Sequence, residues 1–118
     1  MRVLREAWRP KLTGDYLRIR RSPNGATEIL YVSGELDMGS GPTLEGTMAA
    51  AAEVAQNGEI CLDLRGLSFI DSSGARTLCN IHRTAEARGQ RVIYASPQPQ
   101  VRHVLELLEL DKVLHLTP

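Results

Sequence analysis

Aromatic side chains are scarce in this chain of 118 residues, which has one Trp, one Phe and three Tyr. Trp8, Tyr16, Tyr31, Phe69 and Tyr94 are scattered and make no base-stacking set. An excess of charge of one sign is also lacking. Basic and acidic residues balance at 14 each, so no net field draws the molecule toward nucleic acid or anionic lipid. Direct nucleic-acid binding is therefore disfavoured. No apolar run approaches the ~20 residues that cross a bilayer. The start, Met1-Arg2-Val3-Leu4-Arg5-Glu6, lacks the apolar centre and small-residue cleavage site of a secretory signal. No membrane partner is expected, and cytoplasm is the expected location. Cys61 and Cys79, the two cysteines, have no His or Cys neighbour at metal-ligand spacing. They read as small buried hydrophobes in a reducing compartment, without a metal. A glycine-rich phosphate loop is missing as well, so no nucleotide cofactor is expected.

What is present reads as one domain of common size, with 42% apolar and 24% charged residues. Residues 1–14 show no clean period and read as a tail or extra segment, leaving residues 15–118 as the domain. Leu17 and Ile19 alternate with Arg18 and Arg20, the period of a half-buried strand. Ser22-Pro23-Asn24-Gly25 signals a turn, and a second strand follows over Thr27 to Leu36. Ser40 is the expected N-cap of a helix with Pro42 in its first turn. Leu44, Met48, Ala51, Ala52 and Ala55 recur at helical spacing, and Asn57-Gly58 ends that helix. Ile60, Leu62 and Leu64 predict a third strand that Arg65-Gly66 interrupts and Leu67 to Ile70 continues. A helix from near Ser72 to Arg88 follows, with Ala75, Leu78, Cys79, Ile81 and Ala85 inward and Gly89 as its stop. Arg91 to Ala95 is a short strand. Ser96-Pro97 is expected to cap a last helix carrying Val101, Val104, Leu105 and Leu108, and Lys112 to Leu116 a final edge strand. The order β-β-α-β-α-β-α-β predicts an α/β fold, a mixed sheet of four to five strands with helices packed against it and right-handed crossovers.

One segment concentrates polar chemistry. Asp71, Ser72 and Ser73 crowd the start of the second helix, where side-chain oxygens accept bonds from unpaired N–H groups. Capping alone accounts for such residues. Two adjacent hydroxyls nevertheless exceed what one cap needs, and Gly74 in the first turn costs roughly 1 kcal/mol relative to alanine. A glycine there is expected to leave the neighbouring hydroxyl open to a partner or an enzyme. Free N–H groups and the positive helix end favour a phosphate at such a serine. Arg76, one turn along, would add a charge-assisted contact, whereas Asp71 would oppose the same phosphate. A nucleophilic serine enzyme is disfavoured. His82 lies about two and a half turns from Ser73 on the same helix, too far to take its proton, and nothing orients His103 or His115. No catalytic residue is assigned and the chain is expected not to be an enzyme.

Leu67-Ser68-Phe69-Ile70-Asp71-Ser72-Ser73-Gly74 between a strand and a helix resembles the signature of STAS domains in anti-sigma-factor antagonists. Ser33-Gly34-Glu35-Leu36-Asp37, followed by Ser40 and Pro42, resembles a second block of that family, and the likeness covers roughly residues 15–117. It implies a binding module, switched by phosphorylation of the second serine of the motif, here Ser73. It also implies two partners: an anti-sigma factor with serine kinase activity that binds the unmodified form, and a phosphatase that resets it. Asp37 matches the family's acidic residue near that serine, although bonding to local backbone accounts for it equally well. Asp37, Asp71, Ser72, Ser73, Gly74 and Arg76 are thus the expected partner surface, on a monomer or weak dimer. Arg76 departs from the small or aliphatic residues frequent at its position in the family. A rival within the same fold is a scaffold or adaptor of a stress-signalling or lipid-transport complex, without phosphorylation.

Overall fold

The computed structural model describes residues 17–24, 27–55 and 58–118. The expected tail over residues 1–14 lies outside them, as do Gly25 and Asn57. The elements follow the expected order: β1 (Leu17–Asn24), β2 (Thr27–Leu36), α1 (Gly41–Val54), β3 (Glu59–Ile70), α2 (Ser72–Ala87), β4 (Arg91–Ala95), α3 (Pro99–Leu107), a 3-10 turn (Leu110–Lys112) and β5 (His115–Leu116). The strands lie side by side in sequence order. β1 and β2 are antiparallel, and every later neighbour is parallel. This follows from the connections: a two-residue link makes a hairpin, whereas parallel strands need a crossover, supplied here by each helix.

Alternation decides which face is covered. Leu30, Val32 and Leu36 of β2, Leu62 and Leu64 of β3, and Val92 and Tyr94 of β4 are buried in one cluster with Leu44, Leu78, Ile81, Val101 and Leu105 from the helices. Burying each such side chain stabilises the fold by ~1.5–3 kcal/mol. The intervening Ile29, Tyr31, Ser33, Cys61 and Ile93 are only half-buried. The described helices therefore all lie on one face of the sheet. Tyr94, the largest fully buried side chain, donates its hydroxyl to the Leu78 carbonyl at 3.2 Å, so its polar end is satisfied inside the core.

Several boundaries differ from expectation. β1 runs through Pro23 and Asn24, which pair with Glu28 and Thr27, because an edge strand tolerates a proline. Arg65-Gly66 does not interrupt β3, which is continuous over twelve residues. The irregularity falls on its pairing with β2, where the register shifts between Tyr31 and Ser33 and again between Gly34 and Glu35. A Cβ on Gly66 would lie 2.7 Å from that of Ser33, so glycine lets the two backbones close up at the bulge. α2 ends at Ala87, with Arg88 as its C-cap and Gly89 at φ +70° beyond. Cys79, expected inside, is half-buried, and both cysteines are free. Ser96 does not cap α3. Its hydroxyl donates to the Pro118 carbonyl at 2.8 Å, and Gln98 is the N-cap residue. The final strand is shortened because Leu110–Lys112 coil into the 3-10 turn.

Candidate functional site

The paired ends of β2 and β3 build the site. Leu36 and Ile70 are register partners, so the loops that follow begin side by side with Asp37 and Asp71. The Asp71 amide donates to the Leu36 carbonyl at 3.4 Å. Gly74 packs against that same carbonyl, which a Cβ there would strike, along with the Ile70 side chain. Gly74 is buried. Its missing side chain thus seats α2 on the end of β2; it neither opens a neighbouring hydroxyl nor offers surface to a partner, contrary to the expectation from sequence.

Asp71 is the N-cap of α2, with extended backbone. Its Oδ1 accepts from the Gly74 amide at 2.8 Å and from the Ser73 hydroxyl at 2.7 Å. One carboxylate oxygen therefore does the capping and also orients the serine. Ser72 is exposed and Ser73 half-exposed, in the first turn of the helix. The Ser73 carbonyl accepts from the Thr77 hydroxyl at 3.3 Å. Arg76 is exposed on the next turn and forms no ion pair with any described residue. A hydroxyl so held has a fixed direction, with the Asp71 carboxylate as its acceptor. Phosphorylating it would remove that hydrogen bond and set a dianion beside Asp71.

Across the same sheet end, Asp37 and Ser40 bond reciprocally. The Ser40 amide and hydroxyl donate to Asp37 Oδ1 at 3.0 and 3.1 Å, and the Asp37 amide donates to Ser40 Oγ at 3.0 Å. The single Ser40 hydroxyl proton is shared between Asp37 Oδ1 and the Glu35 carbonyl, which lies closer at 2.9 Å. These bonds, not a side-chain cap on α1, are what Ser40 makes, and the local-backbone role weighed for Asp37 is present. Met38 and Phe69, 78% and 41% exposed, stand in the loop after β2 and near the end of β3. Sequence reading did not single them out. The signal was an apolar residue next to Asp37 and another two positions before Asp71.

No described group of His, Cys, Asp and Glu side chains is arranged to hold a metal ion, and no described helix is long and apolar enough to cross a membrane.

Comparison with known proteins adds identity to this geometry. A family profile described as "Mlab, STAS domain" matches residues 19–118. The chain is 32% identical over 80 residues to an anti-sigma F factor antagonist of Lysinibacillus sphaericus, covering 68% of each. It is 26% identical over 98 residues to one of Paenibacillus polymyxa, covering 83% of this chain and 84% of that one. In fold it is similar to an anti-sigma factor antagonist from Mycobacterium paratuberculosis, with TM-score 0.77, 23% identity and coverage of 92% and 91%. It is also similar to unphosphorylated SpoIIAA, with TM-score 0.70, 24% identity and coverage of 86% and 89%. The α/β sheet order, the helix-capping Asp-Ser-Ser-Gly and these matches agree, and the chain belongs to the STAS-domain family of anti-sigma factor antagonists.

Proposed function

We propose that this chain is a cytoplasmic, non-enzymatic antagonist that binds an anti-sigma factor with serine kinase activity, and that phosphorylation of Ser73 ends the binding. The observation that carries the reading is the Ser73 hydroxyl, half-exposed at the mouth of α2 and bonded to Asp71 at 2.7 Å. The relatives named above are anti-sigma F factor antagonists, and SpoIIAA, similar in fold, is described in both an unphosphorylated and a phosphorylated form. Asp37, Asp71, Ser72, Ser73 and Arg76 form the docking surface, with exposed Met38 and Phe69 as its apolar anchors, and buried Gly74 positions it. Partner surfaces of this kind put binding energy into a few desolvated side chains. A phosphate adds about −1.5 to −2 charge where a fitted partner would have to desolvate it, and losing ~3 kcal/mol weakens binding more than a hundredfold. A phosphatase acting on Ser73 completes the cycle.

Incubation with a cognate anti-sigma kinase and ATP, then mass spectrometry, tests the modification. Ser73→Ala should bind the partner and resist phosphorylation, whereas Ser73→Asp should bind at least a hundredfold more weakly. Equal binding by all three proteins removes Ser73 from the switch. A second reading, a STAS adaptor of a stress-signalling or lipid-transport complex, is favoured by one observation. The same 2.7 Å bond ties the hydroxyl down and leaves it only partly accessible. Absence of phosphorylation together with unchanged binding by Ser73→Asp selects it.

A further inference from the structure

The sheet face opposite the described helices holds a hollow of about 220 Å³ lined by Arg18, Arg20, Tyr31, Ser33, Arg65 and Gly66. Strand register explains the assembly. Arg18 pairs with Ser33, Arg20 with Tyr31, and Tyr31 in turn with Asp63, so side chains from three neighbouring strands project from one face. The shift in register between Tyr31 and Ser33 bends β2 at this point, and Gly66 brings β3 against Ser33. Concavity and charge thus coincide.

The charge is unbalanced. Asp63 also lines the hollow, but both its oxygens are engaged by the Arg65 guanidinium, the closest contact being 2.8 Å. Three guanidiniums against one carboxylate leave two positive charges, in a chain whose formal net charge is zero. Arg18 and Arg20 form no ion pair with any described residue. They are two positions apart on one face, where like charges repel. The Arg20 guanidinium lies 4.3 Å over the Tyr31 ring, which holds it down on the sheet. A guanidinium fixed in this way matches the paired oxygens of a phosphate, and the exposed Arg18 stands two residues away on the same face. The hollow is shallow and open on one side, and its volume of about 220 Å³ suits a phosphate with a small organic group.

We propose that this hollow is a binding site for a small phosphomonoester, its phosphate clasped between Arg18 and Arg20. The ligand would sit on the sheet face opposite α2, so the site stands apart from the Ser73 switch and does not depend on it.

Titrating the full chain with adenosine 5′-monophosphate while recording amide chemical shifts provides the test. Saturable shifts confined to residues 18–20, 31–33 and 63–66 are expected, with tighter binding than inorganic phosphate. Arg18→Ala and Arg20→Ala should each weaken binding about tenfold, and Asp63→Asn, which leaves a further positive charge, should strengthen it several-fold. Arg18 and Arg20 are exposed whereas Asp63 is buried beneath Arg65, and unchanged amide spectra of the free variants verify folding. The proposal is overturned by any of four results. These are no saturable shift up to about 10 mM, the range of a single weak ion contact; unaltered affinity in both arginine variants; inorganic phosphate binding as tightly as the nucleotide; or a response only to phosphatidylglycerol vesicles or an oligoglutamate peptide.

Discussion

The two helix entrances at the end of β2 and β3 use the same pair of residue types to opposite ends. Before α1, Ser40 is 2% exposed and its hydroxyl is spent on the Glu35 carbonyl and Asp37. In the first turn of α2, Ser73 stands half-exposed with its hydroxyl on Asp71, and the same Asp71 oxygen caps the Gly74 amide. Aspartate and serine are three residues apart in one case and two in the other. That one-residue difference changes which group is capped. At three residues the serine amide is the one that meets the carboxylate, and its side chain turns inward. At two residues the serine is within the first helical turn, and the glycine after it supplies the amide. Accessibility, not residue identity, separates the structural Ser40 from Ser73, the serine of the proposed switch.

The largest perturbation should come from Gly74→Ala. The added methyl would strike the Leu36 carbonyl and the Ile70 side chain, and backbone cannot yield as a flexible side chain does. Urea denaturation should show a loss of ~3 kcal/mol, at the upper end for overpacking. A loss below ~1 kcal/mol would mean that α2 slides freely on β2, and the fixed geometry at Ser73 would go with it.

Ser40→Ala and Ser73→Ala test the comparison directly. The first removes a buried hydroxyl and strands the Asp37 amide, for ~2 kcal/mol. The second breaks one partly exposed bond, for ~0.5–1 kcal/mol. Chemical denaturation of both variants decides it, and equal losses would erase the distinction between the two entrances.

A smaller effect sharpens the electrostatic side. Ser73→Asp should destabilise the protein by ~1 kcal/mol more than Ser73→Ala, because two carboxylates then meet at the mouth of α2 with solvent screening them. Placing Asp71→Asn beneath it should recover most of that difference, since the amide oxygen still caps Gly74. A double-mutant cycle measures the coupling. A coupling of zero would mean that Asp71 does not oppose negative charge at position 73.

Much of this was legible in the sequence, and what was missed shares one character. Period and turn chemistry are local, so the order of strands and helices, the full span of β2 and the Arg88-Gly89 stop could be read from neighbours along the chain. Arg65-Gly66 looked like a break because glycine beside a charge usually is one; only the pairing with β2 shows that the glycine serves a bulge inside a continuous strand. Gly74 was read as opening space, whereas it closes space against a carbonyl 38 positions earlier. Ser96-Pro97 looked like a helix start, but Ser96 is drawn to the C-terminal residue. The arginine hollow was invisible for the same reason, since it exists only when three strands are in register.

The hollow also supplies a third aspartate, remote from both entrances, against which their behaviour can be calibrated. Hydrogen bonds from the Arg65 side chain hold the Asp63 carboxyl below the usual carboxylate range, against the opposing effect of its burial. A carboxyl depressed in the folded state contributes stability that is complete above its unfolded value, near 3.9. That contribution is lost as pH falls through the lower, folded value. Asp63→Asn should therefore flatten the acid limb of the stability curve below about pH 4 and leave its shape near neutrality alone. Melting temperatures of the two proteins, measured across that range, should converge as the pH drops. An acid limb identical in shape for both would show that the Asp63–Arg65 pair is not held in solution, and that Arg65 is free to serve the hollow as a third unpaired cation.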